Sequence, residues 1–229
     1  MSTQLSHSKD VVEPYYSASD GQPTAESDKT RRLMVDCIQT LERYFADQPD
    51  VYVSGNILIY YREGDPTRSI APDVLVARGI EKRARSIYQT WVEGKMPDVV
   101  IEIVSETTWR RDLGVKATLY HALGVQEYFL FDSTGRLFDQ GTLLGMVRHE
   151  PGFREIPTDE QGRLWSEVLQ LTLAAEEGQL RFYDPTTGTR LQTLEERAAA
   201  AEVRASRAEE QLRRLEAELQ RLREHSDRA

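Results

Sequence analysis

Five aliphatic residues enclose a single glutamate in the run Val99-Val100-Ile101-Glu102-Ile103-Val104. A run this short that is apolar on both faces reads as a strand covered on each side by other elements. An ionised carboxylate left alone there would cost several kcal/mol, unless a metal, a cation or a raised pKa relieves it. The run Ile70-Ala71-Pro72-Asp73-Val74-Leu75-Val76 repeats the anomaly, with Asp73 just inside a strand. Lys116 follows in a helical stretch soon after the Glu102 strand.

Around these runs the chain divides into three parts. Residues 1–28 are rich in Ser, Thr, Asp, Gln and Pro without aliphatic periodicity, and are expected to be disordered. A helix is expected over residues 28–46, where Leu33, Met34, Cys37, Ile38, Leu41 and Phe45 recur at three-to-four spacing. Residues 51–53 and 57–61 read as strands about the turn Ser54-Gly55-Asn56, and residues 78–97 as an irregular, charged stretch anchored by Tyr88 and Trp91. After the Glu102 strand, Thr107 or Thr108 is expected to cap a helix over residues 109–123 that Gly124 stops. Residues 126–132 form another apolar strand, and residues 142–149, 164–173 and 180–183 supply further strand candidates. This order predicts an α/β or α+β domain with a mixed sheet over residues 29–190.

From Leu191 onward the pattern changes. Leu191, Leu194, Ala198, Ala201, Ala205, Ala208, Leu212, Leu215, Leu219 and Leu222 alternate three-four spacing without a Gly or Pro between them. That seam predicts a C-terminal coiled coil over residues 191–229, against the alternative of a lone helix supported by Glu/Arg pairs. Alanine at four central positions implies close backbone approach with less burial. A homo-oligomer assembled through this helix is the expected partner.

The formal charge of −9 disfavours a protein that coats long stretches of nucleic acid. A local basic surface stays open, from Arg78, Lys82, Arg83 and Arg85 or from Arg110 and Arg111, as does the plainer reading of a solvated face. No apolar run approaches the ~20 residues of a membrane span, and the single cysteine, Cys37, fits a reducing compartment. The cytoplasm is the expected location, with no membrane partner. Four scattered histidines and one cysteine do not make a structural zinc site.

Two carboxylates on neighbouring strands and a lysine suggest a small metal-dependent phosphodiesterase site. Asp112, Lys116 and Tyr120 fall at i, i+4 and i+8, so one helical face carries all three. Each residue also has a plainer reading. Asp73 after Pro72 can be a strand-entry turn, Glu102 can be neutralised by a structural Arg or Lys, Lys116 can be a surface partner of Asp112, and Tyr120 can be core. Asp98 and Asp132 at strand termini read as turn or cap residues, and His121 as a helix-surface residue. Ser105 has no histidine–acid pair near it that would make it a nucleophile.

The ordered set Pro72-Asp73-Val74, Val100-Ile101-Glu102-Ile103-Val104-Ser105, Arg111-Asp112-Leu113 with Lys116 and Tyr120, and Gly124-Val125-Gln126-Glu127-Tyr128 with Asp132 resembles the Uma family. These are candidate restriction endonucleases of the PD-(D/E)XK nuclease superfamily. The resemblance spans roughly residues 30–190 in element order, and Ser166-Glu167-Val168-Leu169 and Asp184-Pro185 look familial too. Two departures stand out: Glu106 follows the serine where the family commonly has proline, and Val104 stands where the wider superfamily has its lysine. Lys116 matches the family's displaced lysine.

The resemblance implies a restriction-endonuclease-like fold and metal-dependent cleavage of DNA. Asp73, Glu102 and the carbonyl of Ile103 would hold one divalent ion, and hard oxygen donors suit Mg²⁺ or Mn²⁺. Lys116 would orient the attacking water, Asp112 would position Lys116, and Tyr120 would contact phosphate. The alternative is a catalytically silent nuclease-fold scaffold that acts through its coiled coil.

Overall fold

The computed structural model describes residues 14–17, 28–138 and 142–226. It forms two compact units, one ending at Arg190 and one beginning at Leu191. Most of the N-terminal stretch expected to be disordered lies outside the described residues. Within residues 14–17 the Tyr16 ring lies 4.9 Å from Tyr60 and 5.2 Å from Trp91, and its hydroxyl accepts the Gly64 N–H.

The first unit is a mixed α+β structure. Its elements run α1 (Asp28–Tyr44), β1 (Val51–Ser54), β2 (Leu58–Tyr60), β3 (Ser69–Ile70), β4 (Val74–Arg78), β5 (Ile87–Gln89), α2 (Thr90–Glu93) and β6 (Val99–Val104). Then follow α3 (Trp109–Arg111), a π-helical turn (Asp112–Lys116), α4 (Ala117–Leu123), β7 (Glu127–Asp132), β8 (Leu143–Arg148) and β9 (Phe153–Glu155). β10 (Leu164–Ser166), β11 (Leu171–Glu176) and β12 (Gln179–Tyr183) complete it.

A six-stranded sheet has the order β1-β4-β6-β7-β8-β9, with β6 and β7 parallel and every other pair antiparallel. β6 and β7 are buried at all six positions each, as their apolar composition requires of central strands. One face of the sheet offers Leu75, Val100, Val104, Tyr128 and Leu130 to Ala117, Tyr120 and Val125 of α4 and its exit. Alternate residues such as Val74, Ile101, Ile103 and Phe129 point to the other face. α1 lies against β1, β4, β6 and β12, outside the first cluster, and so covers that second face. Its apolar stripe ends in Leu41, and Phe45 follows just past the helix; both are fully buried, each contributing roughly 1.5–3 kcal/mol by burial.

Two smaller sheets, β10-β11-β12 and β3-β2-β5, flank the large one. The first is tied to β7 by Glu127, a buried carboxylate that accepts the Ser166 hydroxyl and the backbone N–H groups of Glu167 (2.8 Å) and Val168 (3.3 Å). The Ser166-Glu167-Val168-Leu169 motif is therefore the socket of a structural joint.

Several sequence expectations need correction. Asp73 does not lie inside a strand; it occupies the bend one residue before β4 begins. Residues 78–97 are more regular than expected, since they contain β5 and α2. The 164–173 stretch is two strands, β10 and β11, because Gln170 adopts a left-handed φ of 55° between them. β9 was not foreseen, its three residues Phe-Arg-Glu being too short to show a period. Thr108 takes the N-cap position without capping α3. Its hydroxyl instead accepts the Ser105 N–H at 3.1 Å.

The second unit contains α5 (Leu194–Ser226), a helix of 33 residues. Thr193 opens it with a reciprocal cap: Thr193 N–H donates to Glu196 Oε2 at 3.0 Å, and Glu196 N–H donates to Thr193 Oγ1 at 3.2 Å. Among the described residues no helix is long and apolar enough to cross a membrane.

Candidate active site

Glu102 sits in the middle of β6 at 2% exposure, on the face that α4 covers. The chain leaves β6, turns through residues 105–108 and returns over the strand as α3, the π turn and α4, closing a parallel crossover into β7. That path lowers the helix onto the glutamate. Lys116 Nζ stands 3.0 Å from Glu102 Oε1 and 3.0 Å from Asp112 Oδ1. The Tyr120 hydroxyl donates to Glu102 Oε1 at 2.9 Å. Both of these donors address Oε1 rather than Oε2.

The π turn explains how three residues of one helix reach one carboxylate. In a regular α-helix, positions i and i+8 are rotated apart by about 80°. The wider turn over Asp112–Lys116, in which Ala117 N–H donates to Asp112 O, takes up that drift. Asp112, Lys116 and Tyr120 then come to one side. Tyr128 on β7 supports the turn from below: its hydroxyl donates to the Asp112 carbonyl at 3.0 Å, and its ring lies 5.1 Å from Tyr120. In the sequence Tyr128 is only one residue of the Gly124–Tyr128 motif. Nothing in its spacing signals the contact, which depends on the bulge.

Asp73 arrives from the other side. The β4–β6 register pairs Val74 with Ile101, and continuing it by one residue sets Asp73 opposite Glu102. Asp73 Oδ2 accepts the Ile103 N–H at 2.7 Å. In a strand the N–H and C=O of one residue leave on the same edge, so the Ile103 carbonyl also faces the Asp73 side. Gly55 holds this corner from behind. A Cβ there would lie 1.9 Å from the Asp73 carbonyl oxygen, and the neighbouring Asn56 N–H donates to Pro72 O at 2.9 Å. The turn at residues 54–56 thus sets the position of Asp73, a role its sequence does not announce.

The electrostatics follow from this crowding. Burial pushes the Glu102 carboxyl up to about 8; Lys116 opposes the shift, while Asp73 and Asp112 add to it. Burial works against the Lys116 ammonium, yet the carboxylates of Glu102 and Asp112 outweigh it and hold its pKa above the ordinary value. Burial and the adjacent Glu102 raise Tyr120 well above a free phenol, so it stays a proton donor. Three acids and one ammonium share the cluster; Lys116 keeps 16% side-chain exposure, against 3% for Glu102 and Asp112. Among the described residues no three His, Cys, Asp or Glu side chains converge as a ready metal cluster. Any cation here would rest on two carboxylates and a carbonyl.

The remaining candidates have structural partners. Asp98 takes Lys95 Nζ on both oxygens and the Arg78 N–H. Asp132 accepts the N–H groups of Thr134, Arg136 and Leu137. Ser105 Oγ meets the hydroxyls of Thr107 and Thr108. His121 is half-buried, 2.8 Å from the His149 carbonyl and edge-on to Phe153.

The basic cluster after β4 serves the fold. Arg78 Nε donates to Val168 O, Lys82 to Phe45 O at the end of α1, and Arg83 and Arg85 both to Glu93. Arg110 and Arg111, at the start of the helix that carries Lys116, are exposed. Cys37 lies on the buried face of α1, and its thiol is pushed up to about 12 by burial, so it stays protonated.

Comparison with known proteins adds two findings. A family model described as "Putative restriction endonuclease" (Uma2) matches residues 13–176. The chain is similar to a crystal structure described as a putative nuclease belonging to DUF820 from Anabaena variabilis ATCC 29413. The two share 15% identity over 63% of this chain and 75% of that one, with a TM-score of 0.47. No curated protein matches the chain.

Proposed function

The chain belongs to the Uma2 family of restriction-endonuclease-type proteins, and on that premise we propose that it is a metal-dependent endonuclease that hydrolyses DNA phosphodiester bonds and assembles through α5. The observation that carries this reading is Glu102. A carboxylate at 2% exposure in the centre of a sheet, opposite Asp73 and against Lys116, is a poor choice for stability and a good one for binding a hard cation. Asp73, Glu102 and the Ile103 carbonyl present only oxygen donors, the set that Mg²⁺ or Mn²⁺ prefers. When bound, such a cation supplies Lewis-acid polarisation of the scissile phosphate and a more acidic water.

The chain's own residues do the rest. Lys116 holds a positive charge beside Glu102, where it orients the attacking water and offsets charge developing on the phosphoryl oxygens. Asp112 fixes the ammonium from its other side at 3.0 Å. Tyr120 orients Glu102 through its hydroxyl, which is a positioning role rather than the phosphate contact expected from sequence. Arg110 and Arg111 provide the exposed positive charge nearest in sequence to Lys116 for a nucleic-acid backbone.

The test is cleavage of supercoiled plasmid by purified protein with Mg²⁺ or Mn²⁺, with EDTA and Glu102→Gln as controls. Nicking that vanishes in both controls is the expected result. Equal nicking by wild type and variant would overturn the assignment. A second reading, a silent nuclease-fold scaffold, draws on Glu106 beside the site and on the closure of Lys116 over both Glu102 and Asp112. It predicts that neither cation changes the melting temperature, since a ligand bound only by the folded state must raise it.

A further inference from the structure

The charges flanking the α5 seam contain information about the partner that the seam alone does not. Leu194, Leu212, Leu215 and Leu219 are 50–57% exposed along the helix. With Leu212 at position a and Leu215 at position d, the four central alanines take a and d in turn. The e positions are then Glu195, Glu202, Glu209 and Glu216, and the g positions Arg197, Arg204, Gln211 and Glu218. All eight side chains are exposed.

We propose that α5 pairs with α5 of a second copy as a parallel, in-register, two-stranded coiled coil. The proposal rests on the reading that α5 assembles the protein, and it adds the partner, the orientation and the register. In a parallel pair each g residue meets the e residue of the partner's next heptad. Arg197 then faces the partner's Glu202 and Arg204 the partner's Glu209, while Gln211 faces the partner's Glu216 without charge conflict. An antiparallel pair with full overlap instead sets e against e. Glu195 would meet the partner's Glu216, and Glu202 the partner's Glu209, each twice by symmetry. The attraction of Arg197 for the partner's Glu218 offsets only part of that repulsion. Like charges in these positions select against a pairing.

Strand number follows from the alanines. Facing alanine layers let two backbones approach closely, whereas three or more strands would leave an unfilled axis along Ala198–Ala208. The arrangement also has a consequence for the first unit. Parallel helices bring both chains into the coil at the same end. Antiparallel ones would hold the entry points roughly 50 Å apart, the length of a 33-residue helix. Two phosphodiesterase units entering side by side suit cuts in both strands of one duplex.

The full chain carrying Ala201→Cys, oxidised with glutathione, tests the orientation. Cys37, at 2% exposure, does not compete. A covalent dimer that dithiothreitol reverses is expected, because position 201 faces itself only in a parallel, in-register pair. Cross-linking only when Ala201→Cys is mixed with Leu212→Cys would overturn the orientation and leave assembly standing. A wild-type monomer by light scattering at tens of micromolar would overturn both.

Charge reversal tests the flanks independently at exposed positions that do not endanger folding. Arg197→Glu/Arg204→Glu and Glu202→Arg/Glu209→Arg should each weaken self-association at least tenfold, and their mixture should restore it. Unchanged self-association of both variants overturns the proposal. None of these readouts is cleavage, so the nuclease reading fails or survives separately.

Discussion

Glu102 concentrates the tension between folding and chemistry in one residue. Its carboxyl is held at about 8 by burial, with Lys116 offsetting part of the cost and Asp73 and Asp112 adding to it. An unfolded glutamate titrates near 4.5. Between those values the folded chain binds a proton that the unfolded chain has lost, so this group's contribution to stability falls as pH rises through that window. Glu102→Gln removes the titration while keeping shape and an acceptor for Tyr120. Without divalent cation, the melting temperature of Glu102→Gln relative to wild type should climb from pH 5 to about pH 8 and then level off. A constant difference across that range would show that Glu102 titrates normally. Removing the cation instead, with Lys116→Met, leaves two buried acids without their ammonium. That change should destabilise the fold by up to about 3–5 kcal/mol, measured by urea unfolding near pH 9, where Glu102 is ionised.

Among the elements, two short irregular pieces decide whether the site exists. The π turn aligns Asp112 with Lys116 and Tyr120, and the turn before β2 sets Asp73 opposite Glu102. Neither is visible as a period in the sequence. A helix read at 3.6 residues per turn still collects the right three residues, because the spacing of four is shared by both geometries to a first approximation. Gly55 is the sharper case. It was legible only as a turn residue, yet its missing Cβ is what lets the Asp73 carbonyl approach. Gly55→Ala should therefore displace Asp73, costing about 1–3 kcal/mol of stability by overpacking and reducing cleavage and cation-induced stabilisation together. Loss of stability with cation response intact would place the strain elsewhere.

At the scale of the whole molecule, the 190-residue unit and α5 raise separate questions of chemistry and of assembly. Truncation after Gly188 removes the seam and leaves the β11–β12 hairpin of the first unit. The truncated protein should sediment as a single chain, keep its cation response and nick plasmid, while producing fewer linear molecules per nick than the full chain. Equal linearisation by the two forms would detach α5 from the cutting of duplexes.

The first helix, the central buried strand, the helix that returns over it and the terminal seam were legible from residue order alone, whereas short elements such as β5, α2 and β9 were not. Each legible element depends on hydrophobic periodicity, which is local, and a local pattern survives into any fold that buries it. Asp73 and Glu102 stood out as exceptional residues because a charge in an apolar run marks itself, whereas Lys116 stood out only through its place after the Glu102 strand and the family resemblance. What only the tertiary structure decided was convergence. The β4–β6 register, the bulged helix and the Gly55 turn bring together groups as much as 47 residues apart in sequence, counting from Asp73 to Tyr120. Such contacts are set by packing between elements, and packing leaves no period in the chain.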